Sequence, residues 1–457
     1  MAADPADSPP WWKDRRKLAA AIAAGVIALG AAIAIAYSAL KRPEDVDKGD
    51  EVVFKEEPPP RPVVKTTNWT MFGYDRQRTR FLPSDKVKPP FERRWKYGDR
   101  PLLEFPPIFV RTKRLCDRKR KLGCSGRLFF VNNNGRAFSL DANTGKIIWQ
   151  REIAELNATS PAYAEGRLFI TNLSPGQALS LDARTGKTIW KRPLPGRSES
   201  SPIVVGNKVF FGCENGDLFA LNTKTGKTQW STPTGGEVKA APAYRNGILY
   251  AGNYSGIMTA VKASNGKIKW QSDSLGLSLG RAGAFYATPA VAFGRVYSGN
   301  NDSRVYSFDA KTGELAWTYS TGSYVYSGTA VADTRHSDPT VYVGSIDGNI
   351  YALDARTGDA RWVESALGPV IGSLSIVGEV VYVATFEGTT TSGRRLRDGK
   401  KIFEYPTGAY MPVISDGRRI YLTGYSSIHA LDPVTKKQAK AAKAKKRAGK
   451  RGAKRGG

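Results

Sequence analysis

Ser180-Leu-Asp-Ala-Arg-Thr-Gly-Lys-Thr-Ile-Trp190 reads as a strand, a tight turn and a second strand. Alternating residues end at Asp182, Thr185-Gly186 make the turn, and Lys187 to Trp190 runs back out. Gly186 can take the positive φ that such a turn needs, and a neighbouring Asp or Asn can bond nearby backbone N–H groups. A Trp packed against a neighbour would bury roughly 150–250 Å².

The phrase repeats along most of the chain. Its glycine and aromatic recur at Gly145/Trp149, Gly186/Trp190, Gly226/Trp230, Gly266/Trp270, Gly313/Trp317, Gly358/Trp362 and, degenerately, Gly399/Phe403. Successive aromatics lie 41, 40, 40, 47, 45 and 41 residues apart. A fixed period near 40 with strand-turn-strand content predicts propeller blades or a solenoid. Twelve residues after an aromatic comes a small residue with Pro, as in Ser160-Pro161, Ser201-Pro202 and Ala241-Pro242, followed by two apolar runs. Four short strands per unit fit a blade. The eighth copy breaks off at Ala430-Leu-Asp-Pro-Val-Thr435, and its missing outer strand is found at the front of the chain, Phe91-Glu-Arg-Arg-Trp95-Lys-Tyr97. Joining the two ends closes a ring without a sheet edge. The expected fold is all-β: an eight-bladed β-propeller over residues 67–438, preceded by a transmembrane helix.

The rest of the 457 residues is organised around that ring. Leu18 to Leu40 holds 23 residues without a charge, about 34 Å as a helix. Lys13, Arg15, Arg16 and Lys17 precede it, so residues 1–17 are expected in the cytoplasm and the propeller outside the cell membrane. Cleavage near Ala34–Ala39 is the alternative to an uncleaved anchor. Residues 41–66 are charged and proline-rich and read as a semi-rigid spacer. Residues 439–457 are a basic tail: from Lys436 onward there are 11 Lys or Arg and no acids, within a net charge of +28. Such a run cannot bury a core, and it suits anionic lipid headgroups or a phosphate-rich wall polymer more than nucleic acid outside a membrane. A solvated tail without a partner is the other reading. Cys116 and Cys124 flank a basic insertion and either close a disulfide in an oxidising compartment or remain free thiols. Cys213 reads as a packing residue.

The phrase [SA]-L-[DN]-[AT]-x-T-G-K-x-x-W resembles the tryptophan-docking repeat of pyrroloquinoline quinone (PQQ) propellers, and Asn68-Trp-Thr-Met-Phe-Gly-Tyr-Asp-Arg-Gln-Arg-Thr-Arg80 is similar to their lead-in. The resemblance implies that Trp95, Trp149, Trp190, Trp230, Trp270, Trp317, Trp362 and Phe403 dock blade on blade. It implies one of two functions: a quinoprotein dehydrogenase using PQQ and Ca²⁺ with an Asp base, or a non-enzymatic periplasmic scaffold of the outer-membrane assembly lipoprotein type. The chain has no adjacent cysteine pair and no c-type haem motif, and its two histidines, His336 and His429, lack metal-ligand spacing. Most blades are near minimal length. No catalytic residue and no metal ligand is therefore assigned, and the scaffold, binding protein partners without a cofactor, is the expected function.

In a propeller, the loops entering the inner strands and the turns joining the middle strands form one funnel-shaped face. One loop is over-long, with 19 residues from Trp270 to Pro289 instead of 12. It carries Leu275, Leu277, Leu279 and Phe285 around Arg281, an apolar loop suited to a partner or to a lid. Arg197, Glu199 and Glu237 are further funnel candidates.

Overall fold

The computed structural model describes residues 42–434, apart from 63–66, 99, 118, 120, 278–281 and 411–412. The apolar run 18–40 and the tail from 435 lie outside the described residues. Among those described, no helix is long and apolar enough to cross a membrane.

The described residues of 45–274 and 283–434 form the propeller. Among the described residues its sheets are eight, each with four antiparallel strands labelled A to D from the axis outward, and in blade 7 Phe81–Leu82 adds a fifth strand parallel to strand A. Blade 1 is Ile108–Val110, Arg127–Val131, Arg136–Asp141 and Ile147–Glu152; blades 2 to 7 repeat this plan in chain order. Blade 8 takes strands A to C from Val413–Ser415, Ile420–Thr423 and Ser427–Pro433, and strand D from Phe91–Gly98. Phe91 pairs with Pro433 and Gly98 with Ser427, so the two ends of the chain lock the ring as the truncated repeat required. One apolar cluster contains Trp69, Leu128, Tyr382, Tyr421 and Leu431, and so spans blades 7, 8 and 1.

The aromatic of each repeat is the joint between blades. The Trp149 indole donates to the Ala183 carbonyl at 3.1 Å, and Trp190 to Thr223 at 2.9 Å, in each case on the C–D turn of the following blade. Trp95, Trp230, Trp270, Trp317 and Trp362 do the same. Phe403 has no N–H to give and instead packs edge-on against Phe91 of blade 8.

The lead-in plugs the ring on the side away from the funnel. Thr67 N–H donates to Asp416 in blade 8, and Trp69 exchanges two backbone bonds with Phe109 in blade 1. The carbonyls of Thr70, Arg76, Gln77, Thr79 and Arg80 accept from Tyr163, Tyr244, Val291, Val331 and Ile376, in blades 2, 4, 5, 6 and 7. Blade 3 is reached by the buried Arg78 guanidinium, which donates to Ser201 and Pro202 carbonyls, and also to those of Phe72 and Pro242. Arg80 donates to Arg78 and Thr329 carbonyls. Burial pushes both guanidinium pKa values down, with the Arg80 charge adding to the effect on Arg78. Carbonyl dipoles around Arg78, and the Asp75 charge near both, make these cations tolerable on the axis, although among the described residues Arg80 Nε and Nη2 have no hydrogen-bond partner.

Within the segment read as a semi-rigid spacer, the stretch from Asp45 to Glu57 packs on the propeller. Val46 and Lys48 add antiparallel bonds to the outer strand of blade 5, around Asp47 opposite Trp317. The Asp45 carboxylate accepts from Arg304, Thr318 and Ser320. Val52 is buried, Phe54 stacks on Phe293, and the Arg295 side chain donates to the carbonyls of Gly49, Val52 and Val53. Glu57 then pairs with Arg245 at 2.6 Å on blade 4. A row of unpaired N–H and C=O groups on blade 5 and an apolar side chain every few residues in the segment give it partners that a solvated linker lacks.

Candidate functional site at the propeller axis

The D–A loops converge on an axial pocket whose floor is Phe72 of the plug. Three residues before each strand-starting Pro, or its equivalent, the backbone turns toward the axis. That position is Glu104, Glu199, Lys239, Tyr286, Tyr326 and Ile371 in six blades, and all six line the pocket. The offset was readable in the repeat, yet of the six only Glu199 is among the residues singled out from sequence.

The charges are arranged around one cation. Lys239 Nζ lies 3.4 Å from Glu199 Oε1 and 3.6 Å from Glu214 Oε1, and 5.0 Å from the ring centre of Tyr254. Burial alone would lower the lysine pKa, but Glu199 and then Glu214 outweigh it and the net direction is up. Glu104 accepts from Asn133 Nδ2 at 3.3 Å, and burial, reinforced by the Glu199 charge, raises its pKa. Tyr286 O–H donates to Glu199 Oε2 at 3.4 Å. Burial and then the Glu199 charge push the Tyr254 and Tyr286 phenols up, so both stay protonated donors. Tyr254, Tyr286, Tyr326 and Tyr324 form a chain of edge-to-face contacts, with centroids 5.9, 5.3 and 6.0 Å apart. The pocket is thus an acidic, tyrosine-walled hollow whose lysine is already engaged.

Around it the funnel face shows apolar side chains to solvent. Leu156, Tyr324 and Leu367 stand on D–A loops, and Tyr254, Phe386 and Tyr425 on B–C turns; Leu367 is 74% exposed and Tyr425 53%.

Other residues singled out from sequence fall elsewhere. Arg197 and Glu237 are exposed on the rim, and their backbone carbonyls, accepting from Glu214 and Tyr254, hold neighbouring loops. Phe285, expected to meet a partner, is fully buried against Tyr306 and Phe308 with centroids at 5.2 and 6.0 Å. An aromatic beside small residues in a long loop has the same pattern whether it caps the core or faces out. Leu275 and Leu277 are half-buried, while Leu279 and Arg281 lie outside the described residues. Cys213 is buried, and Cys116 and Cys124 form a disulfide. His336 is exposed in a turn, whereas His429 is buried between Tyr405 Oη and Ser427 Oγ, each 3.0 Å away. Among the described residues, no three His, Cys, Asp or Glu side chains group as a metal site.

The crystal structure of BamB from Moraxella catarrhalis matches with a TM-score of 0.59 at 17% identity, over 75% of this chain and 100% of that one. The quinohemoprotein alcohol dehydrogenase ADHIIG from Pseudomonas putida HK5 matches with a TM-score of 0.66 at 14% identity, over 80% of each chain. A europium-containing methanol dehydrogenase matches with a TM-score of 0.65 at 15% identity, over 79% of this chain and 90% of that one. At such identities the likeness is one of fold. No curated protein matches in sequence. A family model described as outer membrane protein assembly factor BamB matches residues 120–273 and 225–442, which is more than half of the chain. The chain therefore belongs to this family of PQQ-like β-propellers.

Proposed function

We propose that the protein is a non-catalytic scaffold that docks a protein partner on the funnel face of the propeller, in the service of cell-envelope assembly. The observation that carries this reading is the ring of exposed Tyr, Phe and Leu side chains about a polar, tyrosine-walled hollow, since aromatic anchors with polar partners are the usual core of a protein interface. The family description, an assembly factor, agrees with it.

PQQ is a flat quinone carrying three carboxylates. The axial pocket offers it Glu104 and Glu199, with Glu214 behind, against one lining lysine held by two of those carboxylates, while the buried Arg78 and Arg80 guanidiniums stand beside the Phe72 floor. Placing a tricarboxylate there sets like charges against one another in a partly desolvated space. The donor set does not fit the quinone, and no step is derived through it.

The apolar run 18–40 and the cations before it extend the proposal to an uncleaved membrane anchor with the propeller outside.

The test is site-specific photocrosslinking in cells, with the probe at Tyr324 or Tyr425 and, as control, at Lys269 on an outer strand. Discrete protein adducts from the funnel positions and none from the control support docking. The same adducts from all three sites, or none from the funnel, overturn it.

A further inference from the structure

A second concave site lies at the outer edge, between blades 1 and 2. The Cys116–Cys124 loop is pinned to blade 1. Asp117 and Leu122 exchange backbone bonds, Gly123 N–H donates to Asp141 at 2.7 Å, and the Leu115 carbonyl accepts from Arg127 Nε at 2.8 Å. Cys116, Asp117, Lys119 and Leu122 of that loop, with the C–D turn of blade 2, wall an open cleft. Among the described residues five cations line this cleft, Lys119, Arg127, Arg151, Arg184 and Lys187, against one acid, Asp117.

Among the described residues none of the five is in an ion pair. Arg127 donates to the carbonyls of Leu115 and Arg184, and Arg151 to those of Gln150 and Thr185. The nearby carboxylates are spent on turns: Asp141 accepts from Gly123, Asn143 and Thr144, and Asp182 from Thr185. Arg127 is 2% exposed, and its pKa is lowered by burial and then by Arg184, against the opposing pull of Asp117, Asp141 and Asp182. The cations fan from a buried guanidinium at the floor to exposed lysines at the mouth. A narrow chain can follow that course, whereas a flat bilayer surface cannot reach the floor.

We infer that this cleft is an anion site that takes the phosphate groups of an extended, soluble phosphate-bearing chain. Guanidinium forks beside ammonium groups are suited to phosphate oxygens, and several contacts in series make binding steeply salt-dependent.

The probe is a fluorescently labelled short polyphosphate, titrated against the full chain and followed by anisotropy. The variant Arg184→Glu/Lys187→Glu reverses two charges at the cleft, and Lys267→Glu/Lys269→Glu makes the same change on blade 4. The cleft variant is expected to weaken binding about tenfold or more and to flatten the salt dependence, with the control within about threefold and both urea midpoints unchanged. Removing residues 435–457 should weaken binding but leave a saturable component that the cleft variant abolishes. Equal losses in cleft and control variants, or complete loss on removing the tail alone, overturn the site. Cleft-dependent binding to phosphatidylglycerol vesicles, without binding to polyphosphate, overturns the extended chain in favour of a lipid headgroup.

Discussion

The indole of Trp149 occupies the place where a side chain at Gly186 would begin: a Cβ on Gly186 would stand 2.7 Å from Trp149 Cε3. The same holds for Gly145 with Trp95, Gly226 with Trp190 and Gly358 with Trp317, each at 2.7 Å. The turn glycine therefore has two jobs, taking φ = +74° at Gly186 and seating the aromatic of the blade before.

Gly186→Ala should consequently cost more than a turn substitution alone. Gly206 has φ = +58° with nothing within 4 Å of its Cβ position, so Gly206→Ala isolates the backbone cost, about 1–2 kcal/mol. Gly186→Ala adds overpacking of about 1–3 kcal/mol. Urea midpoints of the two variants should separate accordingly, and equal midpoints would remove the seating role.

The docking aromatics should differ among themselves. Trp317 is fully buried beneath the docked N-terminal segment, whereas Trp190 is half-buried. Truncation to Ala is expected to cost about 5 kcal/mol at Trp317 and about 3 at Trp190. Trp190→Phe keeps the ring and loses only the bond to Thr223, worth about 1 kcal/mol. Chemical denaturation measures all three.

Much of this was legible in the sequence because a blade is local. Strand, turn glycine and docking aromatic fall within one period, and the orphan strand at Phe91–Tyr97 kept its 12-residue offset to Pro107. The packing of Asp45–Pro62 was not legible. Its partners Arg295, Thr318 and Ser320 lie some 240–275 residues away, and nothing in a charged, proline-rich stretch signals a particular strand edge. Arg78 and Arg80 were opaque for a related reason: arginine on an axis is tolerable only once carbonyls from several blades surround it. The axial lining followed a readable offset, but a residue's direction within a loop becomes meaningful only when the blades are arranged around one axis.

The docked segment should loosen when its pin is removed. Asp45→Ala loses the bonds to Arg304, Thr318 and Ser320, a cost of about 1–2 kcal/mol. Hydrogen exchange should rise at Val46, Lys48 and Val52 while the blade strands keep their protection. Unchanged exchange at these amides would mean that Phe54 and Arg295 hold the segment without Asp45.

Blade 8 should carry an acid sensitivity. Burial, with Lys96 and Arg93 adding to it, pushes the His429 pKa down to about 4. The unfolded chain regains a value near 6.5. Between these values the unfolded chain binds a proton that the fold refuses, so stability falls as pH drops from about 6.5 toward 4, by at most about 3 kcal/mol. Above pH 6.5 the effect is absent. His429→Gln should flatten this part of the pH–stability profile, and a profile identical to that of the unmodified protein would show that other groups govern it.

The decisive measurement for a non-catalytic propeller is a titration of the purified full chain with PQQ and Ca²⁺, followed by quinone absorbance and thermal midpoint. With Glu104, Glu199 and Glu214 about a single engaged lysine, neither signal is expected to change. A saturable, Ca²⁺-dependent spectrum with a raised midpoint, lost in Lys239→Ala, would contradict the scaffold reading and place a quinone in the axial pocket.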